Sequence, residues 1–364
     1  MTTAYSGDGI TFPDNSVQAT APRVGMVNRI INGDMRIDQR NAGAAVTLTA
    51  TTASYITDRW YCNNTSDAVL SVTRDTSAPS GFTNSTKVTV STADASIGAT
   101  QNSYFAQWIE GYNSADLAWG TASASTVTLS FWVRSSLTGT FGGVLTNSAI
   151  DRSYPFTYSI SSANTWEQKS ITVAGDTSGT WLKDNGVGVR VWFALGTGST
   201  YTGTAGVWAG TEYRGATGQT DIIATSGATW QITGVQLEKG STATDFEYVD
   251  YGRQLQMCQR YYQQIKGAGR HFIAGNGSVS QCFPTMYLRV TMRGTCSFSF
   301  SSLSHFTIEG LTGGGQSIAT GLSLNASTLD TVTIQASSGG STSATAAQVF
   351  GNTAAAVSGF SAEL

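Results

Sequence analysis

An all-β fold is predicted by three features of the sequence. Short runs of alternating apolar and polar residues recur along the chain between Gly, Ser, Thr and Asn turns. β-Branched and aromatic residues abound while charge is scarce, and apolar residues fall at helical spacing at one place only. Only 12% of the 364 residues are charged, against roughly a quarter in a typical soluble domain. Nine Trp, fourteen Tyr and fifteen Phe supply the apolar mass for a core, so the Ser/Thr-rich composition does not imply disorder. The expected architecture is a jelly-roll β-sandwich, then a short helix leading to a small C-terminal β domain.

Taken in order, residues 1–24 form a polar segment. Gly7, Asp8 and Gly9, then Pro13, Asp14 and Asn15, bracket one or two brief strands. So short a segment buries no core by itself and must pack on the next domain or on a partner. Residues 25–248 carry the runs "DAVLSVTRD", "STKVTVST", "TVTLSFWVRSS", "YPFTYSIS", "EQKSITVAG", "GVGVRVWFALG" and "TWQITGVQLEKG". About eight or more strands at this spacing predict a two-sheet sandwich of jelly-roll type. In residues 249–265, Tyr251, Leu255, Cys258, Tyr262 and Ile265 fall at helical spacing. A helix this short is unstable alone. Its narrow stripe suits a seam, either on the sandwich or, as preferred here, between copies around a symmetry axis. Residues 266–364 return to β: "HFIAGNGSVSQCFPTMYLRVTMRG" and "CSFSFSSLSHFTIEG" read as a hairpin pair, and "SSGGSTSATAAQ" as a loop or weak strand. The core there is thin, and packing between subunits would relieve it.

The stretch "NRIINGDMRIDQR", residues 28–40, carries three arginines in a charge-poor chain. An Asn-Gly-Asp turn precedes Met35, Ile37 and Gln39, which alternate with Arg36, Asp38 and Arg40. The pattern predicts the first strand of the sandwich, with the charges on its outer side. Asp58 and Arg59 of "TDRW" lie nearby in sequence. Arg36, Asp38, Arg40, Asp58 and Arg59 are therefore expected to form a hydrogen-bonded network that fixes a strand edge or a subunit contact. Contact with a receptor is the less favoured role.

Two strands carry the most suggestive chemistry. In "TVTLSFWVRS", Val127, Leu129, Phe131 and Val133 share one face, while Trp132 and Arg134 share the other. In "GVGVRVWFALG", Val187, Val189, Val191, Phe193 and Leu195 share one face, while Arg190 and Trp192 share the other. Indole beside guanidinium suits a sugar: pyranose C–H faces stack on the ring, and Arg hydrogen-bonds hydroxyls. The alternative is that loops, a neighbouring chain or cation–π packing covers these rings. Trp119, Trp181 and Trp208, in Gly-rich loops, are further glycan candidates or else loop anchors.

Other chemistries lack a signature. The acidic residues show no pairing of the kind that glycosidases need. With two histidines and no GxSxG, HExxH or GxGxxG context, acyl transfer, zinc hydrolysis and dinucleotide chemistry have no support. No enzymatic activity and no cofactor are expected. A formal charge of −3 argues against nucleic-acid binding, and no apolar run is long enough for membrane insertion. Cys62, Cys258, Cys282 and Cys296 match no disulfide framework. Cys282 could pair with Cys296 across a hairpin, or the thiols could join His271 and His305 on zinc, but buried free thiols are the preferred reading. The N-terminus lacks a basic start and an apolar run, so synthesis in the cytoplasm without a signal peptide is expected. The hydroxyl-rich composition resembles that of extracellular proteins, and a particle released by lysis reconciles the two.

The ordered set "NRIINGDMRIDQRNAG", "YITDRWYC", "VTLSFWVRSS", "NTWEQKSITVAGD" and "VQLEKGSTATDFEYVDYGRQLQMCQRYY" resembles a family of bacteriophage tail-fibre and related virion proteins. "GITFPDNSVQATA" resembles an F-P-D-G-T-x-Q element near the start of such fibres, with Asn15-Ser16 in place of Gly-Thr, and "FSAEL" is similar to their endings. The sandwich runs also resemble carbohydrate-binding-module jelly rolls. The resemblance implies a homotrimeric virion fibre whose residues 1–24 attach to other tail or neck proteins. It also implies a sugar-binding-like sandwich that engages a host surface polysaccharide. A purely structural collar, head-fibre or decoration protein is the alternative, and a polysaccharide depolymerase a third.

Overall fold

The computed structural model describes residues 4–6, 9–11, 17–18, 26–275, 281–310, 317–338 and 347–364. Ala4–Ser6, Gly9–Thr11 and Val17–Gln18 pair as one small antiparallel sheet. The rest of the expected attachment segment, residues 1–24, lies outside the described residues.

Twelve strands build the sandwich: β1 (Val46–Leu48), β2 (Thr52–Tyr55), β3 (Tyr61–Asn64), β4 (Val69–Asp75), β5 (Ser85–Thr92) and β6 (Asn102–Glu110), then β7 (Val127–Ser135), β8 (Gly139–Thr146), β9 (Ser153–Ile160), β10 (Glu167–Val173), β11 (Val187–Thr197) and β12 (Thr229–Lys239). They form two six-stranded sheets, ordered β10-β7-β12-β5-β4-β1 and β9-β8-β11-β6-β3-β2. Neighbouring strands run antiparallel throughout. This is the jelly-roll-type sandwich expected from the alternating runs.

Period-two alternation sets the core. Val127, Leu129, Phe131 and Val133 of the first sheet face Val189, Val191, Phe193 and Leu195 of the second, and the Phe131 and Phe193 rings meet edge to face at 5.0 Å. Trp60 stacks on Phe105 at 4.9 Å, and Trp230 closes the same cluster. Burial of each such side chain contributes about 1.5–3 kcal/mol.

Residues 28–40 depart from the expectation, for they form no strand. Asn32 and Met35 hold left-handed φ of 58° and 59°, which breaks the extended run. In place of a ladder partner, the Asn32 amide donates to the carbonyls of Ile37 (2.9 Å) and Asp58 (3.0 Å) and accepts from Ile37 N–H (2.9 Å). Gln107 of β6 both donates to the Ile31 carbonyl and accepts from Ile31 N–H, each at 2.8 Å. The backbone is thus satisfied while buried against the sandwich. At Gly33 the approach is so close that an added Cβ would lie 2.1 Å from the Val235 carbonyl oxygen.

The helix is shorter than its apolar spacing suggests. α1 spans Tyr251–Gln259, and its Asp250 cap accepts from Arg253 N–H at 3.2 Å. β13 (Tyr262–Lys266) follows almost at once and pairs antiparallel with Val357–Ser361. Tyr262 and Ile265 therefore lie on a strand, because a distant edge offers them a ladder that outweighs another helical turn. The C-terminal β domain holds this three-stranded sheet and a seven-stranded one, around Phe272, Phe306, Ile308, Ile334, Val349 and Phe360. Residues 339–346 of "SSGGSTSATAAQ" lie outside the described residues. All four cysteines are free and buried.

Candidate functional site

The two Trp/Arg pairs do not share a surface. β7 lies in the first sheet and β11 in the second, so residues pointing outward from each stand on opposite sides of the sandwich. Trp132 and Arg134 are half-buried on the first side, where Arg134 donates to Ser77 Oγ at 3.1 Å. Trp192, on the second side, is buried at 2% exposure. Its ring stacks on Tyr104 at 4.5 Å and 6°, and the Arg214 guanidinium sits 5.5 Å above it. Of the two readings for Trp192, a sugar platform or a covered ring, the structure shows the covered ring, so Trp192 is not a glycan-binding face. Outward direction follows from alternation, but exposure depends on which cross-strand neighbour and which loop lie on top.

The loop tryptophans come together as anchors. Trp119, Trp181 and Trp208 meet edge to face at 4.7–5.5 Å. Their indole N–H groups donate to the carbonyls of Ser125, Ser178 and Ala174. Trp119 and Trp181 are buried in this knot and offer no glycan platform.

What remains half-exposed on the outer side of the second sheet is a set of rings the sequence reasoning passed over. In "NSYFAQWIE", Tyr104, Ala106 and Trp108 of β6 point outward, while Phe105 and Ile109 enter the core. Ala106 pairs with Tyr61 on one side and Trp192 on the other, and Trp108 pairs with Arg190. Tyr61 and Trp108 lie 4.7 Å apart at 51°, and Tyr55 extends the row at 5.2 Å from Tyr61. Tyr55, Tyr61, Trp108 and Arg190 are all half-buried. Arg190 Nη1 donates to the carbonyls of Asn147 (2.8 Å) and Ser148 (2.7 Å), which fixes the guanidinium beside the rings. Burial pushes the Tyr104 hydroxyl up to about 12, so it stays a neutral donor near pH 7. The signal that would have found this face is the strict alternation of "NSYFAQWIE" itself.

The five charged residues do not pair with one another; each finds a partner elsewhere in the same chain, and only Arg40 and Arg59 share one, Glu363. Arg59, 1% exposed with a left-handed φ of 71°, pairs with Glu363, donates to the Trp108 carbonyl and lies 3.6 Å over the Tyr261 ring. Arg40 pairs with the same carboxylate at 3.2 Å and sits 3.7 Å over Tyr262. Asp58 accepts from Gln39 N–H at 2.9 Å and from its side-chain amide. Burial pushes the Asp58 carboxyl up to about 6 despite those donors. Asp38 accepts from Asn41 and Gly43 N–H groups and approaches Arg74 at 3.9 Å. Arg36 pairs with Asp34 and donates to the Val249 carbonyl at 2.8 Å. Glu110 adds two hydrogen bonds from Arg260 and one from the Tyr261 hydroxyl. Arg36 and Arg40 thus serve the joint between the sandwich and the elements that follow it, rather than an outer strand face, whereas Arg29 pairs within the sandwich with Asp116 at 2.7 Å.

At that joint the helix packs on its own chain, the alternative to the preferred seam between copies. Cys258 and Leu255 pack on Ile31, Ile37 and Tyr261 of the same chain, whereas Tyr251 stays 55% exposed with Arg36 at 5.9 Å. Among the described residues no helix is long and apolar enough to cross a membrane, and no group of three His, Cys, Asp or Glu could hold a metal.

No protein-family model matches the chain, and no curated protein does. Among solved structures, a CBM4 module is similar at 14% identity and TM-score 0.31, over 57% of this chain and 98% of that one. The family 11 carbohydrate-binding module of cellulosomal cellulase Lic26A-Cel5E of Clostridium thermocellum is similar at 10% identity and TM-score 0.26, over 56% and 98%. The enzymatically active domain of bacteriophage CBA120 tailspike protein 4 is similar at 12% identity and TM-score 0.30, over 59% of this chain and 22% of that one. At these scores none bears on what the chain does.

Proposed function

We propose that the chain is a non-enzymatic virion fibre protein that attaches to a host surface polysaccharide through the outer side of its second sheet. The observation that carries the binding half is the half-exposed Tyr61–Trp108 pair, placed on neighbouring strands with Arg190 opposite Trp108. Rings fixed on strands stack on sugar C–H faces with little loss of side-chain freedom, and fixed donors orient the hydroxyls. The virion half is supported by the resemblance carried in residues 24–265. Assembly as a homotrimer would multiply weak sugar contacts into avidity, and residues 1–24 would dock it to tail or neck proteins.

Glycan-array binding of the purified chain, repeated with Trp108→Ala and Trp132→Ala, tests the reading. Binding that survives Trp132→Ala and disappears with Trp108→Ala is expected. A chain that folds, assembles as three copies by light scattering and binds no glycan would favour instead a structural role in the virion. Release of reducing ends from the bound polysaccharide would contradict the non-enzymatic part.

A further inference from the structure

The aromatic face carries a charge without a counter-charge. Arg40, Arg59, Arg152, Arg214 and Arg260 each have a carboxylate within salt-bridge distance. Arg190, at the centre of the outer side of the second sheet, has none among the described residues. Its Nη1 is held by two main-chain carbonyls, which are neutral. Its Nε and Nη2 make no hydrogen bond to the described protein, and neither is among the fully buried unpartnered atoms, so this edge of the half-buried guanidinium is not sealed from solvent. The carboxylate whose field acts on it, Glu212, is taken by Arg214, which donates to it from Nε at 2.8 Å and also from Nη2. The local sum over Arg190, Arg214 and Glu212 is therefore one positive charge, in a chain whose formal net charge is −3.

Keeping a half-buried guanidinium ionised without a partner is costly, and burial acts against its charged form. The Nε–Nη2 edge matches the two oxygens of a carboxylate side-on, and such charge-assisted pairs are the stronger and more directional kind. Trp108 stands opposite Arg190 on the neighbouring strand and the Tyr61 ring packs against Trp108, so these rings would take the apolar face of the same sugar. We infer that the face binds an acidic glycan, with the carboxylate of a hexuronate unit on the free edge of Arg190 and its ring against Trp108. This rests on the glycan-binding reading above and adds to it the class of sugar.

The test titrates the full chain against a panel of polyuronates (alginate, polygalacturonate and hyaluronan), each beside its carboxyl-reduced, neutral form. At least one polyuronate should bind tenfold or more tightly than its reduced form, with affinity falling as salt rises. Arg190→Gln should lower affinity for the acidic form to that of the reduced form, and Arg190→Lys should restore part of the difference. Should Arg190→Gln fail to fold, the comparison of acidic with reduced ligand decides alone. Equal binding of both forms, or binding of neutral glycans only, would overturn the acidic preference and leave glycan binding intact. Binding of none, neutral or acidic, would overturn both.

Discussion

Gly33 shows how one residue sets the path of the buried segment. An added Cβ would collide with the Val235 carbonyl, and Val235 N–H donates to the Gly33 carbonyl at 3.0 Å, so the strand cannot yield without losing that bond. Gly33→Ala should cost about 1–3 kcal/mol in urea unfolding, and an unchanged midpoint would refute the close approach. Asp58 gives a prediction with a sign. Its carboxyl ionises near 3.8 in an unfolded chain and near 6 when buried in the fold. Between those values the folded state holds the extra proton, so this site's contribution is lost as pH rises through the window. Relative to Asp58→Asn, which does not titrate, the wild type should lose about 1–2 kcal/mol from pH 5 to pH 7.5. A difference that stays flat across that range would show that Asp58 is not buried as described. At this scale the sequence was legible in part. The inward residues of β7 and β11 follow from alternation alone, but the cover over Trp192 comes from Tyr104 and Arg214, both distant in sequence.

Among the elements, the errors share one cause. Residues 28–40 alternate like a strand and residues 249–265 repeat like a helix, but local period says nothing about the partner. The Asn32 side chain supplies what a neighbouring strand would have given, and Val357–Ser361 claims Tyr262–Lys266 from the helix. The joint these elements make depends on Glu363, which serves both Arg40 and Arg59. Glu363→Ala leaves Arg59 buried without its carboxylate and should cost about 3–5 kcal/mol. Hydrogen exchange should quicken first at Tyr262–Lys266 and Val357–Ser361. Arg59→Met combined with Glu363→Leu should recover most of the loss, because an apolar pair carries no unpaired charge. Equal destabilisation by the single and the double variant would locate the effect outside the ion pair.

For the whole molecule, the sandwich class was readable from composition and the spacing of short strands, because those reflect burial and turn chemistry directly. The assignment of strands to sheets was not, since it depends on pairings across tens to hundreds of residues. That gap split Trp132 from Trp192 and hid the row formed by Tyr55, Tyr61 and Trp108, which lies on three strands of one sheet. The buried charge network likewise looked like an outer face because its partners, Glu363 and Tyr261, come from the far end of the chain. The central claim is that the outer side of the second sheet, and no other surface, takes the glycan. Hydroxyl-radical footprinting of the full chain, with and without a bound polysaccharide, tests it most directly. Protection confined to Tyr61, Trp108 and their neighbours, with Trp132 unaffected, is the predicted result. Protection at Trp132 with Tyr61 and Trp108 still reactive would contradict it.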